Sequence, residues 1–362
     1  MWLTIGRSMH ETENSMTMAY TPTRALNRRQ LLSFDGAWRS DRRPERPADD
    51  WIRISRYAMA CRFEVVVASE GEHGILAAQE CLNEVDRLES ILTIFRPTSE
   101  ASLLNREAAM YPVSVGPELF ELLQFCGHLH QETGGAFDIT IGALSECWGF
   151  QERKPRVPSP EALDSARERV GLHNILLEQD RTVSFLTPGV RINLGAVGKG
   201  YALDRAQSSL SARGIGTALL SAGCSSVLAL GDGPEGAGWL VGLRHPVFKD
   251  RRLGTVRLRS CAMATSGQEE QGFETNGQRY GHIIDPRTGF PAMGVASVSV
   301  IADSAAQADA LTTAFFVGGP ELAHRYCGLH EGVVAVMLQA HDLSHPIVIG
   351  SSDRVSVEIV ND

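Results

Sequence analysis

The sequence predicts an α+β fold of largely antiparallel sheets with packed helices. Three observations lead there. Short apolar, β-branched runs recur along the chain, many close enough to their neighbours to pair as hairpins. Several longer segments carry apolar residues at helical spacing. Strand and helix runs also interleave irregularly, unlike the strict alternation of a doubly wound sheet. At 362 residues and 43% hydrophobic, the chain can bury a substantial core. Residues 1–50 read as a disordered extension, rich in Arg, Thr, Pro and Asp without apolar periodicity. Residues 51–362 read as the folded domain, with room for two lobes.

Taken in order, Arg62–Ala68 reads as a strand and Ile75–Leu92 as a helix, with Ile75, Ala78, Leu82, Val85, Leu88 and Leu92 on one face. Ser99 is placed to cap a short helical turn. Pro117–His130 begins with the proline that a first helical turn tolerates. Pro160–Glu168 is a short exposed helix, and Asn174–Leu186 a hairpin turning near Glu178–Asp180. After Arg191–Asn193 a glycine-rich loop leads into a helix that ends near Gly214. Ala218–Ala222, Val227–Leu230, Trp239–Leu243, Thr255–Arg259, Ser297–Ala302, Val333–Leu338, Ile347–Ile349 and Val355–Ile359 read as strands. A helix carries Ala308–Ala314.

Composition excludes several classes. A net charge of -9 with no basic stripe argues against nucleic-acid binding. No apolar run reaches the length of a membrane span. The seven cysteines are scattered and never in Cys-x-x-Cys pairs, against a zinc site or a disulfide framework. Asn27-Arg28-Arg29 looks like a twin-arginine export start, but the polar Asp35–Ser40 follows where an apolar segment is needed. The expected location is therefore cytoplasmic.

The chemistry concentrates between Thr265 and Val317. Thr265-Ser266-Gly267 reads as a small-residue turn. His282-Ile283-Ile284-Asp285-Pro286-Arg287-Thr288-Gly289 gathers a base, an acid, a cation and a hydroxyl around a turn. Asp309 and Thr313 lie four apart on a helix and present a carboxylate and a hydroxyl side by side, hard oxygens of the kind Mg2+ takes. Lys199 follows the glycine-rich loop at a helix N-terminus, a place that favours anions and phosphates. Phe137 and Asp138 leave the Gly134-Gly135 turn together. They read either as an aromatic face and carboxylate for a flat heterocycle, or as a core contact and turn cap.

Together, Met59, Phe95 with Ser99–Asn105, Thr133–Gly142, Asn193–Asp204, Gly223, Thr265–Gly267, His282–Pro291 and Asp309–Thr313 resemble the ApbE family of FAD:protein FMN transferases. The resemblance spans roughly residues 52–350 and implies an ApbE-like, T-fold-like architecture. It implies a Mg2+-dependent enzyme that moves FMN from FAD to a Thr or Ser hydroxyl of a target flavoprotein and releases AMP. Carried over residue by residue, Ala196 (through its carbonyl), Asp309 and Thr313 match the metal ligands, and Thr312 stands where some members have an acid. Met59, Phe95, Ala136, Phe137, Asp138, Asn193, Lys199 and Ile283 match positions near the FAD. His282 matches the proposed base, and the resemblance also implies a catalytic role for Asp309. The chain departs from the family at Asn193, where Asp is commoner, at Gly198 for Ala, and at Cys224, for the second Gly of a pair. The alternatives are a pyrophosphatase splitting FAD to FMN and AMP, a non-catalytic FAD-binding protein, or a scaffold that recognises a flavoprotein.

Overall fold

The computed structural model describes residues 51–68, 72–248, 250–268 and 272–360. The extension expected over residues 1–50 lies outside them. The described chain opens with a hairpin, β1 (Trp51–Ala58) and β2 (Cys61–Ala68), followed by helix α1 (Glu72–Leu92). A helical and small-sheet region comes next: α2 (Glu100–Glu107), β3 (Val113–Ser114), α3 (Pro117–Glu132), α4 (Gly142–Cys147), α5 (Pro160–Arg167), β4 (Ile175–Leu177) and β5 (Thr182–Phe185). Helix α6 (Gly198–Ala212) then leads into β6 (Ala218–Ala222), β7 (Ser226–Leu230), β8 (Trp239–Arg244), β9 (Arg252–Leu258) and β10 (Ala262–Gly267). A small hairpin, β11 (Gly272–Thr275) and β12 (Gln278–Gly281), precedes β13 (Val295–Ala302), helix α7 (Ala305–Leu329), β14 (Val334–Gln339), β15 (Asp342–Ile349) and β16 (Val355–Ile359).

The main sheet has the order β1-β2-β6-β7-β10-β13-β14-β15, and its neighbours pair antiparallel throughout. Both faces are covered, which explains the near-continuous apolar strands. Successive side chains point to opposite faces. Phe63, Val65 and Val67 therefore enter the core beneath α1, α6 and α7, whereas Val66 joins Trp51, Trp239 and Val256 against the three-stranded sheet β16-β9-β8. The strand β13 is buried at every residue. A third, smaller core around Trp148, Leu163 and Ile284 lies under the β11–β12 hairpin, where Phe273 and Tyr280 pack on it.

Several elements differ from the sequence reading, among them the short helix α4, the strand β3 and the earlier start of β15 at Asp342. The strand β1 is unpredicted because Arg53 and Arg56 interrupt its apolar pattern; the fold pairs them with Glu64 and Asp86. The β11–β12 hairpin is also unpredicted. Thr265-Ser266-Gly267 is not a turn but the end of β10, held in extended form by the β13 residues Ser299, Val298 and Ser297. Elsewhere the predicted caps hold: the Ser99 hydroxyl accepts from the Ser102 amide at the start of α2.

The close approach of α6 and α7 positions the site. A Cβ on Gly200 would stand 2.1 Å from the Ala305 carbonyl oxygen, so only glycine fits there. One turn on, the Asp204 carboxylate accepts from the Ala305 and Ala306 amides at 2.7 and 2.9 Å. These are orphan donors of the first turn of α7. Burial pushes the Asp204 carboxyl up to about 6, against the lowering effect of those two amides. A carboxylate on one helix thus caps the next.

Candidate active site

The site lies where α6 and α7 meet the ends of β7 and β10. Asp309 projects from the second turn of α7 and is 5% exposed, so the Asp–Thr pair does not form a solvated face. Its Oδ2 accepts from the Gly200 amide at 3.0 Å, and its Oδ1 from the Ser226 hydroxyl at 3.1 Å. The Lys199 ammonium is 3.6 Å from Oδ2. A buried carboxylate needs such partners to remain charged. Gly200 is the third residue of α6, so its amide is one of the first-turn donors that no carbonyl of the helix can satisfy. Asp309 satisfies that donor from α7. Thr313, half-buried, lies one helical turn beyond Asp309.

Thr312 faces inward. Its hydroxyl donates to the Asp309 carbonyl at 2.7 Å and accepts from Ser266 at 2.9 Å. Thr265 and Ser299 exchange a hydroxyl contact at 2.7 Å next to it. The residues expected as metal ligands therefore fall into two groups: Asp309, Ala196 and Thr313 offer oxygen atoms, whereas the Thr312 hydroxyl is already engaged in tying β10 to α7. Among the described residues, no group of three or more His, Cys, Asp or Glu side chains is gathered. A carboxylate, a carbonyl and a hydroxyl form a different donor set, suited to a hard cation.

From Gly200 the chain runs back through Asn193 to a second feature. A pocket of about 420 Å³ is lined by Phe95, Asn105, Arg106, Arg191 and Ile192, among others. Phe95 is 73% exposed, an available aromatic surface. Asn105 grips Ile192 through both its amide atoms, accepting from the backbone N–H at 2.7 Å and donating to the carbonyl at 2.9 Å. The Asn193 side-chain oxygen accepts from the Gly195 amide at 2.9 Å. This turn needs an acceptor, which Asn supplies as well as Asp would. The segment 191–200 thus runs from the Phe95 pocket to the Gly200–Asp309 contact.

Other predicted residues support the site from beneath. Ala136 and Phe137 are 1% exposed and belong to the main core. Asp138 accepts from the Thr140 amide and hydroxyl at 2.7 and 2.6 Å and lies 3.3 Å from His130 Nδ1. Burial raises the Asp138 carboxyl, against those bonds and the nearby histidines. Phe137 is thus packed in the core, and Asp138 caps the turn at Thr140. Met59 sits in the two-residue β1–β2 turn with φ of 48°, and Ala60 follows at 59°, as a type I′ turn requires. Its amide donates to Glu89 at 3.0 Å.

His282 is half-buried where the chain leaves β12. The pairing of Gly272 with Gly281 closes the hairpin at its base, and His282 is the next residue. Ile283 packs against the main core. The rest of the run closes on itself. Asp285 holds the Arg287 side chain at 2.8 and 2.9 Å and also its amide at 2.9 Å. Gly289, with φ of 79°, donates to the Asp285 carbonyl, and Trp148 Nε1 donates to the Gly289 carbonyl. The acid and the cation of the run are thus paired scaffold.

The model of the ApbE family matches residues 59–338. The chain belongs to the ApbE family. A relative named FAD:protein FMN transferase, from Treponema pallidum, is 34% identical over 309 residues, 79% of this chain and 85% of that protein. Another of that name, from Escherichia coli K12, is 30% identical over 262 residues, 70% and 74% of the two chains. The crystal structure of the ApbE protein of Thermotoga maritima gives a TM-score of 0.75 at 30% identity, covering 83% of this chain and 97% of that one. The apo flavinyl transferase ApbE of Pseudomonas stutzeri gives 0.71 at 26%, covering 86% and 95%. The α+β architecture expected for an ApbE chain is the one observed.

Some residues of this ApbE site escape sequence reasoning. Ser226 touches Asp309 from 83 positions away, and its only local signal is a serine opening an apolar strand. Glu89, which holds the Met59 turn and pairs with Arg96, looks like an ordinary outer position of α1.

Proposed function

We propose that this chain is a FAD:protein FMN transferase that uses Mg2+, transferring FMN to a Thr or Ser hydroxyl of a flavoprotein and releasing AMP. The observation that carries the reading is the buried Asp309 carboxylate set among the Lys199 ammonium, the Gly200 amide and the Ser226 hydroxyl, in a chain aligned along 85% of a relative of that name. Oxygen donors of mixed type suit Mg2+, which usually keeps waters and substrate phosphates for its remaining positions. Asp309, Ala196 and Thr313 are the residues that hold it in this reading. When bound, Mg2+ supplies charge neutralisation to the pyrophosphate.

The chain's own residues supply the rest. Phe95 and the pocket beside Ile192 receive one end of an extended dinucleotide, and segment 191–200 guides the other toward Asp309. Lys199 adds a cation at the N-terminus of α6, where backbone amides also favour phosphate. His282 takes the proton of the acceptor hydroxyl. The acceptor oxygen bonds to the flavin-side phosphorus, the bond from that phosphorus to the bridging oxygen breaks, and AMP departs with the bridging oxygen. Positioning and charge do most of this work in phosphoryl transfer. The cytoplasmic location expected from the sequence is retained as part of the proposal; among the described residues, no helix is long and apolar enough to cross a membrane.

The test incubates the protein with FAD, Mg2+ and a candidate acceptor flavoprotein, and reads intact mass and nucleotides. An acceptor heavier by one FMN unit, with equal AMP, is expected. Free FMN plus AMP without adduct would replace transfer by hydrolysis, and unchanged FAD would leave only binding.

A further inference from the structure

We propose that Cys61 and Cys224 form a dithiol modification site, which closes into a disulfide by exchange with a small-molecule disulfide. The inference does not depend on the transferase reading. Three observations place the two cysteines at neighbouring strand ends. Phe63 pairs with Ala222 across β2 and β6, and the Gly223 amide donates to the Arg62 carbonyl at 2.8 Å. Cys224 is the next residue, in the turn that joins β6 to β7. Independently, a Cβ on Gly223 would stand 3.3 Å from Cys61 Cβ and 3.7 Å from its Sγ. Gly223 has φ of 60°, so the chain turns at that residue and carries Cys224 past the end of β2.

The surroundings divide the roles. Cys224 is exposed, and Cys61 is half-buried against the main core. Burial pushes the Cys61 thiol up to about 11, with Lys199 pulling it down and the neighbouring Asp309, Cys224 and Glu89 adding to the rise. The thiolate is the attacking form. Cys224 therefore reacts first: its sulfur bonds to one sulfur of the small disulfide, and the other leaves as a thiolate. Cys61 then attacks Cys224 Sγ, gives up its proton, and displaces the second small thiolate. Overall, two protein thiols become one disulfide and one small disulfide becomes two thiols, so atoms and electrons balance.

The bond would tie the strained Met59-Ala60 turn to the turn before Ser226, the residue that holds Asp309. A reducing compartment keeps the pair open and an oxidising one closes it.

The test treats the reduced full-length protein with oxidised glutathione, blocks the remaining thiols with iodoacetamide, and maps the digest by mass spectrometry. The expected product is a Cys61–Cys224 cross-linked peptide pair, with an intact mass lower by two hydrogens before alkylation and reversal by dithiothreitol. Cys61→Ser should instead keep a stable glutathione adduct on Cys224. Cys224→Ser should leave Cys61 alkylatable and free of adduct. Wild-type protein that stops at the adduct on Cys224, cross-links a different pair, or emerges with both thiols alkylated would overturn the proposal. Each of these readouts comes from native protein whose far-UV circular dichroism matches the untreated sample.

Discussion

Gly200→Ala is the sharpest test of how the site is built. The added methyl would stand 2.1 Å from the Ala305 carbonyl oxygen, 2.4 Å from its carbonyl carbon and 2.7 Å from the Ala306 amide, where ordinary contact begins near 3.4 Å. All three are backbone atoms, so α6 and α7 must separate. Overpacking of this kind costs about 1–3 kcal/mol. Separation also stretches the Gly200 amide bond to the buried Asp309 carboxylate, and a bond to a charged group is worth about 1.5–3 kcal/mol. Alanine returns up to about 1 kcal/mol through helix propensity. The net expectation is a loss of about 2–5 kcal/mol, a large share of a typical stability of about 5–15 kcal/mol. Gly198→Ala, two residues earlier in α6, meets nothing within 4 Å. It should be neutral or gain up to about 1 kcal/mol. Urea unfolding of both variants, followed by circular dichroism, makes the comparison. If Gly200→Ala unfolds at the same midpoint as Gly198→Ala, the close helix approach does not hold the site together.

Three further outcomes follow from the same geometry. Asp309→Asn should fold, because the amide oxygen still accepts from Gly200 or Ser226, at a stability loss of about 1–3 kcal/mol; it should lose Mg2+-dependent transfer, and retained wild-type turnover would remove Asp309 from the metal site. His282→Asn should bind FAD and Mg2+ nearly as wild type yet transfer FMN about 10²–10⁴-fold more slowly in single turnover; a rate within a few-fold of wild type would take the proton-transfer role away. The Asp204 carboxyl is raised from 3.8 to about 6 by folding, so between those values the folded state binds more protons than the unfolded state and stability falls as pH rises. That contribution is present below pH 3.8 and lost above about pH 6, and the stability difference between wild type and Asp204→Asn should change by on the order of 3 kcal/mol across the window; parallel pH profiles of unfolding would contradict the burial of Asp204.

Much of the architecture is legible because burial repeats at the period of each element. The Pro117, Pro160 and Ser99 starts, the Ile175–Phe185 hairpin and the buried strands β6 and β7 all announce themselves locally. Asp309 and Thr313 are legible for the same reason, since four residues make about one helical turn. What stays hidden depends on contacts distant in sequence. Gly200 finds Asp309 across 109 positions and Asp204 finds Ala305 across 101, and no local window contains either partner. The strand β1 is hidden by two arginines whose partners come from β2 and α1. The end of β10 resembles a turn because Thr265, Ser266 and Gly267 are small and polar. Its pairing with β13 and the contact from Ser266 to Thr312 explain those residues instead.

The run from His282 to Pro291 shows why density of reactive side chains is an incomplete guide to a site. Its most conspicuous pair, Asp285 and Arg287, satisfies itself through three bonds and is two residues apart in one loop. Arg167 donates to the Arg287 carbonyl at 3.2 Å, and Trp148 to that of Gly289 at 2.8 Å, fastening the loop to α4 and α5. A positioned base is useful in catalysis only if its support does not move, and a loop gains that rigidity by pairing its own charges. Asp285 and Arg287 are then needed for where they put His282, not for what they touch in the substrate. On this argument Arg287→Ala should slow transfer by loosening the loop while leaving FAD affinity near wild type. A variant that lost FAD binding and kept its turnover rate would instead make Arg287 a ligand of the dinucleotide.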